Sequence, residues 1–186
     1  MANTIRAHGY HGTTTEAAAS ILQEGFRVSR NEYDWLGDGI YFFQDAPARA
    51  WEWARTHHGS DAAVIGSSIR VEDCMDLLDI RWSQVITEAH DSFIAQLKQA
   101  NQPLPIQRPG VHRLDRAVIN YTVGNLAEQG VKIRVIRAAF SEGDPVFPES
   151  AIFDRSHVQI AVRDITLIEN SWLEEKEGVI DHVRSE

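Results

Sequence analysis

The sequence predicts an α+β fold, on three observations. Short β-prone runs lie mainly toward the two ends of the 186 residues. Segments with helical spacing occupy the middle. Glycines, prolines and capping residues punctuate the junctions, and neither an internal repeat nor a low-complexity tract interrupts them. At 43% apolar and 24% charged residues, the chain reads as an ordinary globular protein, neither disordered nor fibrous. Its length is enough for one domain with a real core, read as residues 1–186 with a helical insertion at about 81–128.

The elements follow in order. Ile5 to Tyr10 reads as a strand ending in a His11-Gly12 turn. Thr13 with Glu16 three residues on forms a capping box for a helix bearing Ala17, Ala18, Ile21 and Leu22 at helical spacing. Gly25 suits the helix end, and Phe26 would pack back on it. Residues 27–38 are polar loop. Ile40-Tyr41-Phe42-Phe43 is β-prone. Pro47 suits the first turn of a helix from about Ala46 to His57.

Ala63 to Val71 reads as a strand, and Met75 to Asp79 as extended chain. Trp82, Val85, Ile86, Ala89, Phe93, Ile94 and Leu97 give a helix over Arg81–Ala100. Three prolines mark 101–110 as loop. A helix from Leu114 to Gln129 is closed by Gly130. A strand follows over Val131–Phe140, then a long loop, Ser141–Ser156. Val158, Ile160 and Val162 alternate as one face of a strand, and Ile165–Ile168 reads as another. From Trp172 to Val183 the acidic tail reads as a terminal helix.

Charge narrows the partners. The net charge is −9, which argues against a broadly basic nucleic-acid binder. Residues 164–186 carry two basic and seven acidic side chains, so −5 sits in the acidic C-terminal segment. Residues 111–163 are at +1, with Arg113, Arg116, Lys132, Arg134 and Arg137 interleaved. These four arginines and one lysine offer a path for a phosphate-bearing target or a pyrophosphate, though a solvated face is the favoured reading. A nucleic-acid target would therefore have to be held locally. One cysteine excludes a disulfide framework and a cysteine zinc cluster. Cys74 has no basic neighbour in sequence and reads as core filler. His57, His58 and His112 lack a carboxylate or thiol at ligand spacing, so no metal is expected. MANTIRAHGY has no apolar signal region and no run suits a membrane span, so a cytoplasmic protein is expected.

Three places carry chemistry. The first is Tyr10-His11-Gly12-Thr13 before a capped helix. The second is Trp35-Leu36-Gly37-Asp38-Gly39-Ile40-Tyr41-Phe42, followed by an Ala/Trp-rich helix. The third is Gln159 on a late strand after the long loop. Singly, each reads as a turn, a bend or a solvated side chain. Their order and spacing together are the signal.

That combination resembles the diphtheria-toxin-like ADP-ribosyltransferases of the H-Y-E/Q type, the group that includes the poly(ADP-ribose) polymerases. The toxin side is the nearer likeness. "YHGT", a helix ending in Gly-Phe, and "YDWLGDGIYF" before an alanine-bearing helix carry the likeness over about residues 9–55. "SHVQIAV" returns it at 156–163. The resemblance implies a split, mostly antiparallel β-core with flanking helices around an NAD cleft. It implies that His11 bonds the adenosine ribose, that the Gly12 backbone binds the nicotinamide amide with Thr13 assisting, and that Tyr41 stacks on the nicotinamide. Gly39 would let the strand bring Tyr41 to the ligand, and Trp51 or Trp53 would supply a second aromatic. His11, Tyr41 and Gln159 are thus the expected catalytic set.

The sequence departs from the family pattern twice. The third residue is often Glu, and here Gln159 stands in its place. An amide stabilises a ribosyl cation less than a carboxylate does. This favours single-unit transfer or NAD hydrolysis over polymer synthesis, and Asp154 or Glu149 in the preceding loop is the expected compensating carboxylate. The nicotinamide-contacting serine is missing, and Arg49 falls near its place. Loop 141–156 lies where the family carries its target-recognition loop, with Phe147, Phe153 and Arg155 as candidate contacts, or else is a connector. The resemblance implies mono-ADP-ribosyl transfer from NAD to a protein, RNA or DNA acceptor, without a metal. The setting it implies is an intracellular bacterial toxin of a toxin–antitoxin or phage-defence system, with an antitoxin partner and no membrane. Two alternatives stay open: a non-catalytic NAD or ADP-ribose sensor with a degenerate site, and an interaction protein that keeps only the fold and docks through its tail.

Overall fold

The computed structural model describes residues 5–32, 34–108 and 111–176. The chain runs β1 (Ile5–Thr14), α1 (Thr15–Glu24), β2 (Ile40–Gln44), α2 (Pro47–His58), β3 (Ala62–Val71) and β4 (Cys74–Asp76). It continues through α3 (Ile80–Gln99), β5 (Gln107–Arg108), β6 (Val111–His112), α4 (Arg113–Glu128), β7 (Val135–Phe140), β8 (His157–Val162) and β9 (Ile168–Leu173). Seven strands form one sheet in the order β4-β7-β8-β2-β1-β3-β9. Every neighbouring pair is antiparallel except β4 with β7. This is the expected mostly antiparallel core with flanking helices.

The register explains the split. β1 pairs with β3 along its whole length, from Ile5↔Val71 to Thr14↔Ala62. It pairs with β2 only at Gly9↔Gln44 and Tyr10↔Phe43. β1 and β2 therefore part beyond Tyr10, and the sheet falls into halves β4-β7-β8-β2 and β1-β3-β9.

Alternation along the strands feeds a core on each side. Ile40, Phe42, Ile160, Val162 and Val135 share one cluster with Ile69 and Leu167. On the other face Ile136, Ala138 and Ala161 join Leu36, Met75 and Ile119, with Trp82 and Ile86 of α3 packed against them. In the second half of the sheet, Ala18 of α1 meets Ala63 and Ile65 of β3, while Ala50, Trp51 and Ala54 of α2 meet Val64 and Phe43.

Four expectations are corrected. β1 does not stop at Tyr10; it runs to Thr14 because ladder partners on β3 continue to Ala62. The cap of α1 is Thr14, whose side chain accepts from the Ala17 N–H at 3.2 Å, and Thr13 is a buried strand residue. Trp172 and Leu173 end a strand rather than begin the expected helix: Ile168–Leu173 pairs with β3 from Ile69↔Ile168 to Ile65↔Leu173. A 3₁₀ turn at Ile165–Leu167 precedes it, where a strand was expected. Glu174 to Lys176 have no regular secondary structure, and residues 177–183 of the anticipated helix lie outside the described residues. α3 is amphipathic as its spacing predicts, yet none of its side chains is fully buried. Its apolar stripe leans on α4, with Phe93 5.3 Å from Tyr121 between ring centroids.

Candidate functional site

Where β1 and β2 part, a cavity of about 760 Å³ opens. Ligand pockets commonly span roughly 300–1,000 Å³, so a dinucleotide-sized molecule fits this class. His11, Gly12 and Thr13 line it from β1, Tyr41 from β2, Trp53 from α2 and Gln159 from β8. Trp51 and Gly39 are not among the lining residues. Trp51 is buried behind the cavity, its indole N–H donating to the Glu175 carbonyl at 3.2 Å. Gly39 works one layer back: it exchanges backbone hydrogen bonds with Ser29 at 3.0 and 3.1 Å.

His11 holds the opening together. Its Nδ1 donates to the Tyr41 carbonyl at 2.8 Å, a bond only the Nδ1–H form can make. Burial pushes its pKa below the ordinary value, so the ring is neutral at pH 7 and Nε2 is an acceptor. Phe26 stands edge-on to the ring at 5.4 Å between centroids, which ties α1 to the same point. Gly12 is needed for packing. A Cβ there would lie 2.9 Å from both the Ala50 carbonyl and the Trp53 ring. Glycine lets α2 close on β1 and bring Trp53 to the cavity, where it stacks on His57 at 4.1 Å.

Tyr41 fixes the turn before it. Its hydroxyl accepts the Leu36 N–H at 2.9 Å and donates to the Gly37 carbonyl at 2.7 Å. Burial pushes the phenol well above its ordinary pKa, so it stays protonated. Asp38 in the same turn is gripped by α4, accepting from Arg116 at 2.7 Å and Asn120 at 3.0 Å. Arg163 donates to the Asp38 carbonyl at 2.8 Å and to Asn120 Oδ1 at 3.0 Å. The helical segment thus positions the turn that carries Tyr41.

Gln159 sits opposite Phe43 on β2 and Ala138 on β7. Its Oε1 accepts the Trp35 indole N–H at 2.9 Å. Trp35 is itself stacked on Phe140 at 3.4 Å between centroids. In the sequence Trp35 stands out only as part of a motif; its hold on Gln159 spans 124 residues and leaves no local signal.

Two further lining residues change the expected chemistry. Arg49 lines the cavity, its guanidinium over the Phe43 ring at 5.1 Å. Glu142 pairs with it, Oε2 accepting from Arg49 Nη2 at 2.5 Å. Glu149 and Asp154, the carboxylates expected from the loop, do not line the cavity. Both are exposed, and Asp154 accepts the Asp144 N–H at 3.0 Å within the loop. Loop 141–156 folds back on itself through the Pro145–Phe153 bridge. Phe147 is exposed at 60%, while Arg155 donates to Glu52 at 2.6 Å.

The five cations of 113–137 form no open path, and none lines the cavity. Arg113 pairs with Glu32, Arg116 with Asp38, and Lys132 with Asp164. Arg134 pairs with Glu72 and Asp164, and Arg137 with Asp76. Cys74 opens β4, and burial pushes its thiol up to about 12, which suits a packed rather than a reactive residue. Among the described residues no group of three or more His, Cys, Asp or Glu side chains could hold a metal ion. Among them, too, no helix is long and apolar enough to cross a membrane.

The model of the poly(ADP-ribose) polymerase (PARP) catalytic domain matches residues 3–121, well over half of the chain. The chain belongs to this family. PARP catalytic domains are NAD-dependent ADP-ribosyltransferases, with NAD as their substrate. The matched span of this PARP-family chain includes His11, Tyr41 and Trp53. Glu142 and Gln159 lie beyond it. No curated protein matches the chain.

Proposed function

We propose that this PARP-family chain transfers a single ADP-ribose unit from NAD to a macromolecular acceptor, protein or nucleic acid, through a site of the diphtheria-toxin-like kind. One observation carries the reading: His11 is locked onto Tyr41 at the mouth of a cavity that also receives Gln159. His11 Nε2 accepts a hydrogen bond from a ribose hydroxyl of the adenosine half. The β1 backbone at Gly12 faces the nicotinamide amide, with Thr13 beside it. Tyr41 and Trp53 offer aromatic faces to the nicotinamide ring.

Leaving of the nicotinamide builds positive charge on the ribose, and an acceptor nucleophile then attacks that carbon. Gln159 orients the sugar without adding charge. That supports single-unit transfer over polymer growth. The likeness of "YHGT" and "YDWLGDGIYF" to the toxin branch supports a cytoplasmic toxin of a toxin–antitoxin or phage-defence system, held in check by an antitoxin.

The test is incubation of the protein with NAD labelled in its adenylate half, together with a cell lysate. Label should enter a macromolecular fraction, and protease, RNase and DNase then identify the acceptor. A second reading, an NAD or ADP-ribose sensor, draws on the engaged Gln159 oxygen and on the Arg49–Glu142 pair at the cavity wall. NAD binding with neither transfer nor nicotinamide release would establish the sensor instead.

A further inference from the structure

We infer that Glu142 supplies the carboxylate that faces the reacting ribose, the charge that Gln159 lacks. The inference rests on the transferase reading above and assigns a charge to its site.

Gln159 cannot fill that role as it stands. Its amide oxygen is already engaged by the Trp35 indole N–H at 2.9 Å, and the amide carries no negative charge. A ribose hydroxyl that must be polarised toward the breaking bond needs an acceptor, and a growing cation needs a negative charge nearby.

Two carboxylates line the cavity among the described residues, Asp34 and Glu142. Asp34 is turned inward at 6% exposure. It takes the Ser29 hydroxyl at 2.5 Å and the Asn31 N–H at 2.8 Å, both on Oδ2, which ties the carboxylate to its own loop. Burial also pushes its pKa up, which works against the charged form.

Glu142 is placed by the β-ladder. β7 ends at Phe140, whose partner on β8 is His157, and Ala138 on β7 faces Gln159. The chain leaving β7 therefore starts beside the strand end that carries Gln159. The Arg155 N–H donates to the Glu142 carbonyl at 3.2 Å and closes the base of the loop there. Arg49 fixes the side chain. Its Nη2 meets Glu142 Oε2 at 2.5 Å, and its guanidinium lies 5.1 Å from the Phe43 ring centre. Phe43 is the direct cross-strand partner of Gln159. Glu142, Arg49, Phe43 and Gln159 are thus one contiguous wall. Among the described residues only Oε2 of the Glu142 side chain is bonded, which leaves Oε1 for the sugar.

The step balances without another reagent. The bond between the ribose anomeric carbon and the nicotinamide nitrogen breaks, and its electron pair leaves with neutral nicotinamide. The positive charge is shared by the anomeric carbon and the ring oxygen while Glu142 accepts the 2′-hydroxyl hydrogen bond. The acceptor nucleophile adds to that carbon and releases its proton to water.

The experiment is steady-state nicotinamide release from NAD by the full chain and its variants, with folding checked by thermal melting. Glu142→Gln should lower kcat about 100-fold, the scale for losing a transition-state electrostatic partner, with KM changed less than threefold. The Glu142→Gln, Gln159→Glu double variant should regain at least tenfold, because it returns a carboxylate to the same wall. A role confined to the Arg49 ion pair would not be rescued this way. Asp154→Asn, in the same loop but outside the cavity, should stay within threefold. The inference fails if Glu142→Gln keeps more than a third of kcat, if the double variant is no faster than Glu142→Gln, or if Asp154→Asn loses as much. If the unmodified chain binds NAD and releases no nicotinamide, the transferase reading itself falls, and this inference with it.

Discussion

His11 donates its Nδ1–H to the backbone carbonyl of Tyr41 at 2.8 Å, bridging the two strands where their ladder has already ended. The bond does what the missing β1–β2 pairs would do. It also turns Nε2 away from Tyr41 as an acceptor.

His11→Ala removes this bridge and leaves the Tyr41 carbonyl without its side-chain donor. NAD affinity, measured by calorimetry, should fall at least tenfold, the cost of about one charge-free hydrogen bond plus the packing of the ring. Nicotinamide release should fall further, because Tyr41 is then free to shift. Tyr41→Ala should do the same through loss of the aromatic face. Full activity in both variants would place the reaction elsewhere in the molecule.

Stability should fall as the solution is acidified below neutrality. Burial lowers the pKa of His11 and of His157 from an ordinary value of 6.5. The unfolded chain therefore takes up these protons at higher pH than the folded one. Their neutral burial contributes in full above about pH 6.5 and is lost as the pH falls toward the lowered folded values. His157 lies between Phe43 and Phe140, its Nε2 buried without a hydrogen-bond partner among the described residues. His157→Phe should flatten the decline of Tm between pH 7.5 and pH 5.5. An unchanged slope would assign the acid sensitivity to other groups.

Asn120 on α4 should be costly to truncate although it lies outside the cavity. Its Oδ1 accepts the Asp38 N–H at 3.1 Å and the Arg163 guanidinium at 3.0 Å, and its Nδ2 donates to Asp38 at 3.0 Å. Asn120→Ala strips partners from a half-buried network, so a loss of about 1–3 kcal/mol is expected in denaturant melts. NAD affinity should drop as well, since Asp38 belongs to the turn that Tyr41 braces. Unchanged binding would mean that α4 and this turn are energetically separate.

Much of this was legible in sequence because it is local. Helical spacing gave α1 to α4 within a residue or two. The order His11, Tyr41, Gln159 pointed to one cavity, and the three do line it. What escaped was decided by distant partners. Thr13 and Thr14 are both good caps, and only the reach of β3 makes Thr13 a strand residue. Trp51 and Trp53 lie two apart on a helix, so they point to different sides, and sequence cannot say which faces the cleft. Glu142, Glu149 and Asp154 are equally acidic, and the β7–β8 register with the Arg49 contact selects Glu142. The paired arginines of 113–137 looked available because their carboxylate partners sit as far off as Asp38 and Asp76.

The strand at Ile168–Leu173 depends on one close approach. Gly66 on β3 faces Trp172 on β9, and a Cβ added at Gly66 would lie 2.4 Å from the indole. The Trp172 ring therefore lies flat on the glycine, and its N–H donates to Glu174 at 2.6 Å. Gly66→Ala forces the indole off β3 and should cost about 1–3 kcal/mol, as overpacking of a fitted contact does. Tryptophan emission should shift red as Trp172 gains solvent. Combining it with Trp172→Ala removes the clash, so the double variant should lose less than the sum of the two single changes. Strict additivity would mean that the two residues do not touch, and that the tail does not lie along β3 as a strand.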